Sequence, residues 1–463
     1  MSHLLISAAH KSSGKTTISI GLTAALSENK RVQTFKKGPD YIDPMWLSRA
    51  SERNCYNLDF YTMQQNEIKN IFIDKMSDAD IGLIEGNKGL YDGLDLDGSN
   101  SNAALATLLQ SPVILVLDSR GMTRGIAPLV LGYQNFDSEI NIKGIILNQV
   151  GGSRHESKLR AILEHYTDVT VLGAVHKNSQ LNIDERHLGL IPSNEENAAD
   201  KKIRLIAQTI KEQVNLDQLL DIASTATVPD AHAESSITNN ISLKNEINIG
   251  ILRDEAFGFY YPDDIDALRS SGANLVFIDS IKDSALPEID GLFIGGGFPE
   301  TKMHELNANT SFMESVKNAI EDNMPVYAEC GGLMYLCRQI EWQDDSVSMV
   351  GVIQADIKMH KKPQGRGYIQ LSETSLHPWN PASNAGTLFA HEFHYSQLTN
   401  FTRDYPYAYH VLRGTGIDGK HDGLIYKNLL ANYAHLRSTE NNQWAQRFVQ
   451  KIIQHKETAS TSN

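Results

Sequence analysis

The chain has 463 residues, 41% of them hydrophobic and 21% charged, enough to bury real cores in two or three domains. A net charge of −14 and a sequence pI of about 5.6 repel phosphate backbones and anionic lipid, which argues against nucleic acid or a membrane as the main partner. Three cysteines, Cys55, Cys330 and Cys337, are too few and odd in number for a disulfide framework, and point to a reducing compartment.

The first apolar run, residues 4–9, reads as a buried strand, and residues 16–26 as a helix with apolar positions every three or four residues. The opening run is too short and lacks the basic start of a signal peptide, and no apolar run reaches membrane-helix length, so a cytoplasmic protein is expected. Further strands are expected at 32–35, 80–85, 112–117, 142–148 and 169–174. Strands alternating with helical stretches predict a parallel, doubly wound sheet. Residues 223–244 dissolve into Ser, Thr, Ala, Asp and Asn, a linker composition. A second α/β pattern follows, with strands at Ile247–Leu252, 274–278, Gly291–Ile294 and 325–328. The expected layout is an α/β protein of two doubly wound parallel-sheet domains. Residues 1–225 are expected to form the first domain, 226–245 a linker, 246–455 the second domain and 456–463 a disordered tail.

Between the first strand and first helix lies AHKSSGKTT, residues 9–17. It fits G-x-x-x-x-G-K-[ST] except that Ala9 stands at the leading glycine. Such a loop turns its amides and a helix N-terminus toward phosphate oxygens. Ser13, Gly14, Lys15, Thr16 and Thr17 are therefore the expected ATP-binding residues, with Lys15 on the β- and γ-phosphates and the Thr16 hydroxyl on Mg²⁺. Glu85 ends an apolar strand, where ligands of open α/β sheets bind, and is the expected second Mg²⁺ ligand. The loop 36–44, KKGPDYIDP, carries Asp40, Ile42 and Asp43, and the turn 86–93, GNKGLYDG, carries Asp92. Strand-end loops often carry function, but ordinary acidic turns read the same way.

In the second half, residues 325–334, PVYAECGGLM, run from strand through Cys330 and two glycines into a helix. A cysteine on such a turn meets a helix N-terminus, which favours its thiolate. Gly296 and Gly297, in the run that ends the strand Gly291–Ile294, could supply oxyanion-hole amides. The general base should be a histidine distant in sequence, and His391, His394 and His435 compete for it. His391 and His394, three apart in AHEFHYS, would share a helix face; a structural or substrate-contacting role is expected for them rather than metal. Cys337 and the aromatics of FGFYY read as core.

Together these segments resemble the cobyrinic acid a,c-diamide synthases, which join a dethiobiotin-synthetase-like domain to a class I glutamine amidotransferase domain. The resemblance runs through SSGKTT, FKKGPDYIDP, NLDFYTM, EGNKGLYDG, RHLGL, DEAFGFYYPDD, GGGFPE, AECGGLMYL, HEFHYS and NYAHL, nearly to residue 436. It implies that Cys330 hydrolyses glutamine with His435 raising its nucleophilicity. It implies that ATP activates tetrapyrrole acetates a and c for attack by channelled ammonia, and that Asp40, Asp43 and Asp92 stand near phosphates and substrate. ATP and Mg²⁺ are the implied cofactors, glutamine and a tetrapyrrole carboxylate the implied small-molecule substrates, and a homodimer the assembly to test. Two departures stand out. Class I glutaminases usually close their triad with His-x-Glu, whereas here His435 is followed by Leu436 and Arg437. Lys37, Asn87 and Lys88 are more polar than in corrin-specific members, so sirohaem or nickel-sirohydrochlorin are alternative substrates. Outside enzymes, a P-loop ATPase that switches partners is the competing reading, in which Cys330 and His435 have no purpose.

Overall fold

The computed structural model describes residues 1–183, 185–186, 189–194, 198–229, 247–380 and 386–461. The chain divides into two compact units, residues 1–234 and 235–463. Most of the expected linker, from residue 230 on, and His187 and Leu188 of RHLGL lie outside the described residues.

The first unit is built on a parallel sheet of seven strands: β1 (His3–Ala8), β2 (Val32–Lys37), β3 (Tyr56–Leu58), β4 (Ile81–Glu85), β5 (Val113–Asp118), β6 (Ile142–Val150) and β7 (Thr170–His176). Their order is β3-β2-β4-β1-β5-β6-β7, so the chain turns back at β1, and the loop after β1 opens at that switch point. Leu5, Phe35, Ile84, Leu115 and Leu147 fill one buried face. Helix α1 (Lys15–Ser27) follows β1, and α2 (Ile42–Ser51) follows β2. β2 runs two residues further than the apolar pattern indicated. Lys36 and Lys37 therefore belong to a buried strand end and not to a loop. Periodicity missed them because a lysine reads as solvated unless something pairs with it.

The second unit holds a nine-stranded sheet. Five strands are parallel, in the order Ala273–Ile278, Ile247–Leu252, Gly291–Ile294, Val326–Glu329 and Leu429–Asn432. Four antiparallel strands extend it: His421–Tyr426, Tyr407–Arg413, Gly365–Glu373 and Leu388–His394. This half is mixed and not wholly parallel. The turn between Tyr426 and Leu429 is too short for a crossover, so the strand must double back. Both faces are covered: Leu292 and Ile294 pack into one core, and Phe293 between them into the other. The closing helix runs Trp444–Thr461, so the segment from Lys456 expected as a disordered tail is helical as far as that residue. Among the described residues no helix is long and apolar enough to cross a membrane.

Candidate active sites

The phosphate loop has the shape its sequence implies. Ser12 takes φ 66° and Gly14 φ 82°, left-handed conformations that fold the loop over the start of α1. Ser13 Oγ donates to the His10 carbonyl at 2.8 Å, and Asn148 Nδ2, from β6, donates to the Ser13 carbonyl at 2.9 Å. A Cβ on Gly14 would lie 2.1 Å from that Nδ2. Beside the loop is a pocket of about 560 Å³, lined by Gly14, Thr17, Arg120, Asn148, Lys177 and Ile183.

Where α1, α2, β2 and β4 converge, one buried cation organises the acids. Lys36 Nζ lies 2.5 Å from Asp43 Oδ2, 3.0 Å from Glu85 Oε1 and 3.7 Å from Asp40 Oδ2. Thr16 Oγ1 reaches Glu85 Oε1 at 2.7 Å, and Lys15 Nζ stands 3.8 Å from the same oxygen. Asp40 Oδ1 receives the N–H groups of Ile42 and Asp43 at the start of α2. Burial, then the neighbouring Asp43 charge, pushes the Asp40 carboxyl up to about 7. Burial acts on Asp43 in the same sense, but Lys36 outweighs it and holds that carboxyl below its ordinary range. Burial, then repulsion from Lys36, lowers Lys15. Glu85 Oε2 is buried without a hydrogen-bond partner. That orphaned oxygen and the Thr16 hydroxyl are hard donors of the kind Mg²⁺ takes. Among the described residues no three His, Cys, Asp or Glu side chains make a self-sufficient metal site. Mg²⁺ draws most of its shell from phosphate and water, so two protein oxygens fit it.

Asp92 stands apart from this cluster. It is exposed, and its Oδ2 accepts from the Gly89 N–H at 2.9 Å, closing its own turn against the end of β1. Lys37 points elsewhere: its ammonium is buried, held by the amide oxygens of Asn100 at 3.4 Å and Asn87 at 3.5 Å. Burial pulls its pKa down to about 8.

In the second unit Cys330 sits between strand Val326–Glu329 and helix Gly331–Leu336 with φ 46° and ψ −98°, a strained elbow for a residue with a side chain. Its thiol is hydrogen-bonded to the His435 imidazole. Burial works against a charge on His435, but hydrogen bonds to Cys330 and Glu329 outweigh it and raise the imidazole to about 10. A Cβ on Gly296 would lie 2.6 Å from His435 Cε1, and one on Gly331 would lie 2.9 Å from the Gly297 nitrogen. The glycine run therefore packs against nucleophile and base alike. The Cys330 N–H is itself engaged, donating to the Asn432 carbonyl at 2.7 Å.

Of the three histidines, only His435 meets the thiol. AHEFHYS forms a strand and not a helix, because it pairs with Gly365–Glu373, so His391 and His394 face opposite sides. His391 exchanges backbone hydrogen bonds with His435, at 2.7 and 3.3 Å, and burial beside that imidazole lowers its own pKa to about 3. His394 stacks on Tyr433 with ring centroids 3.7 Å apart. Cys55 and Cys337 are buried and packed in the core, and burial pushes both thiols up.

Sequence reasoning missed Lys36, Asn148, Glu329 and Asp422. Glu329 is buried, with Oε2 3.2 Å from His435 Nδ1. Asp422 is buried and accepts the N–H groups of Gly423, Tyr433 and Ala434 at 2.9, 3.0 and 2.9 Å, fixing the approach to His435. The signal for Glu329 was present in AECGG, since a carboxylate directly before a nucleophile is costly to bury unless used.

Comparison with known proteins accords with this division. The family model of the CobB/CobQ-like glutamine amidotransferase domain matches residues 248–443, and that of an AAA domain, a P-loop class that binds ATP, matches residues 2–184. The chain is 43% identical over 446 residues to the cobyrinate a,c-diamide synthase of Magnetococcus marinus, covering 96% of this chain and 95% of that protein. It is 38% identical over 477 residues to the protein of that name from Methanosarcina barkeri, covering 96% and 95%.

Proposed function

This chain belongs to the cobyrinate a,c-diamide synthase family, and from that premise we propose that it is a carbon–nitrogen ligase. In this reading it uses ATP and glutamine to convert the a and c acetate carboxylates of cobyrinate to amides, a step in cobalamin biosynthesis. The single observation that carries the reading is the Cys330 thiol hydrogen-bonded to a buried His435 on a strained strand-to-helix elbow.

In the second unit the His435 imidazole takes the Cys330 proton. The thiolate attacks the side-chain amide carbon of glutamine, and the resulting oxyanion is met by the amides of Gly296 and Gly297. His435 returns the proton to the departing nitrogen, which leaves as ammonia, and water hydrolyses the thioester to glutamate. In the first unit a carboxylate oxygen of the tetrapyrrole attacks the γ-phosphorus of ATP and ADP leaves. Ammonia then attacks the acyl carbon, loses a proton, and phosphate departs to leave an amide. Lys15 stabilises charge on the transferring group. Thr16 and Glu85 would hold Mg²⁺, which supplies charge neutralisation at the phosphates when bound. Lys36 holds the Asp43 carboxyl in its charged form and pairs with Glu85 Oε1 from the other side. Activation is required because a carboxylate is a poor electrophile.

The test is to incubate the protein with ATP, Mg²⁺ and glutamine and, separately, cobyrinic acid, sirohaem or nickel-sirohydrochlorin, and weigh the products. Two successive amidations of cobyrinic acid with release of glutamate are expected. Amidation of another tetrapyrrole alone would replace the substrate, and no glutamate release with any of them would overturn the reading.

A further inference from the structure

We propose that Glu329, the residue immediately before the nucleophile, is the positioning residue of His435: its carboxylate fixes the imidazole's tautomer and ring orientation and balances the imidazolium. This rests on the glutaminase reading of Cys330 and His435.

A carboxylate can only accept, so at 3.2 Å it is His435 Nδ1 that carries the hydrogen and donates it to Glu329 Oε2. That leaves Nε2 for the Cys330 thiol. The other carboxylate oxygen is fully engaged. Oε1 accepts the Tyr327 hydroxyl at 2.5 Å and the Leu436 N–H at 2.9 Å. Tyr327 Oη in turn lies 3.5 Å from Asn432 Nδ2. The acid is thus locked from the strand side and from the residue after the histidine it serves, and both Glu329 and His435 are 3% exposed.

The arrangement depends on the elbow. Successive strand residues point to opposite faces, so Glu329 and Cys330 could not both reach one ring from a regular strand. The left-handed φ of Cys330 breaks that alternation and brings both side chains to the same imidazole. The position two residues after His435 cannot supply the acid. Arg437 stands there, and its Nε donates to Asp263 Oδ2 at 2.8 Å while its guanidinium lies over Tyr261. The titratable groups around the pair are Cys330 and the neutral His391 at the imidazole, and Tyr327, Tyr260, Tyr409 and Asp264 at the carboxylate; the carboxylate that Nδ1 meets is Glu329.

The experiment uses the full-length protein. Glu329→Gln keeps the volume and an acceptor for the Leu436 N–H, but removes the charge. It is expected to lower glutamine-dependent kcat by roughly 10²-fold or more, with KM for glutamine changed little. It should also shift the pH dependence of Cys330 alkylation by iodoacetamide upward, while ammonia-dependent amidation persists. Glu329→Asp, which keeps the charge, should retain the wild-type alkylation profile. A low-field proton resonance from the Nδ1–H of wild-type His435, lost in His435→Asn, tests the contact even if Glu329→Gln fails to fold. Wild-type kcat and alkylation profile in a folded Glu329→Gln, or no such resonance, would overturn the assignment. A wild-type protein that releases no glutamate would instead count against the glutaminase reading, and the alkylation profiles would still judge Glu329.

Discussion

Thr16 Oγ1 donates to Glu85 Oε1 at 2.7 Å, tying the first turn of α1 to the end of β4. Lys15 lies 3.8 Å from the same oxygen, so the lysine proposed for the nucleotide and the oxygens proposed for the metal meet at one carboxylate. Lys15→Ala should cut amidation by about 10²-fold or more with either glutamine or ammonia as donor, because charge stabilisation at the γ-phosphoryl is lost. Steady-state assays with both donors check it, and unchanged turnover would refute the role.

Cys330→Ala should abolish glutamine-dependent amidation and leave ammonia-dependent amidation close to wild type. The thiol belongs to the second unit and the phosphate loop to the first. Equal loss with both nitrogen donors would contradict this division of labour.

Lys37 offers a test by pH. Its pKa falls from 10.5 unfolded to about 8 folded, because burial opposes the ammonium. Above 10.5 both states are neutral and the shift has no effect. As pH falls from 10.5 to about 8 the unfolded chain takes the proton first, so stability is lost, on the order of 3 kcal/mol. Measured by urea unfolding, wild type should therefore lose stability relative to Lys37→Met across that window and hold a constant difference below it. A flat difference would show that Lys37 is not desolvated.

Asp422→Asn replaces an acceptor oxygen with an amide that faces an N–H group of the 433–434 segment. We expect a loss of about 1–3 kcal/mol, since a buried donor is left unpaired. Glutaminase activity should fall while ammonia-dependent amidation survives, as the segment leads directly to His435. Calorimetry and a glutamate-release assay check the two halves.

The loop 9–17 and the elbow at Cys330 were legible because each is local: a strand, a tight turn and a helix start written within a dozen residues. Glu329 and Lys36 were not, because the partner that gives each its place is brought by sheet register from far along the chain; Asp422 was not, because its partners lie across a hairpin whose pairing the sequence does not announce. Lys36 reads as solvent-facing until Asp43 and Glu85 arrive around it. AHEFHYS failed for a different reason: two histidines at this spacing share a face only in a helix, and its pairing with Gly365–Glu373 decides for a strand. Asp92 stands in a suggestive turn that one of its own carboxylate oxygens holds through the Gly89 N–H, a contact the sequence does not announce.

Gly14 is constrained twice, by a backbone angle of +82° and by the Asn148 amide where a methyl group would go. Shrinking residue 148 would clear the space but not the angle, and relaxing the angle would unfold the loop. No single compensating change opens an exit, so through divergence this position should remain frozen while the surface around it drifts.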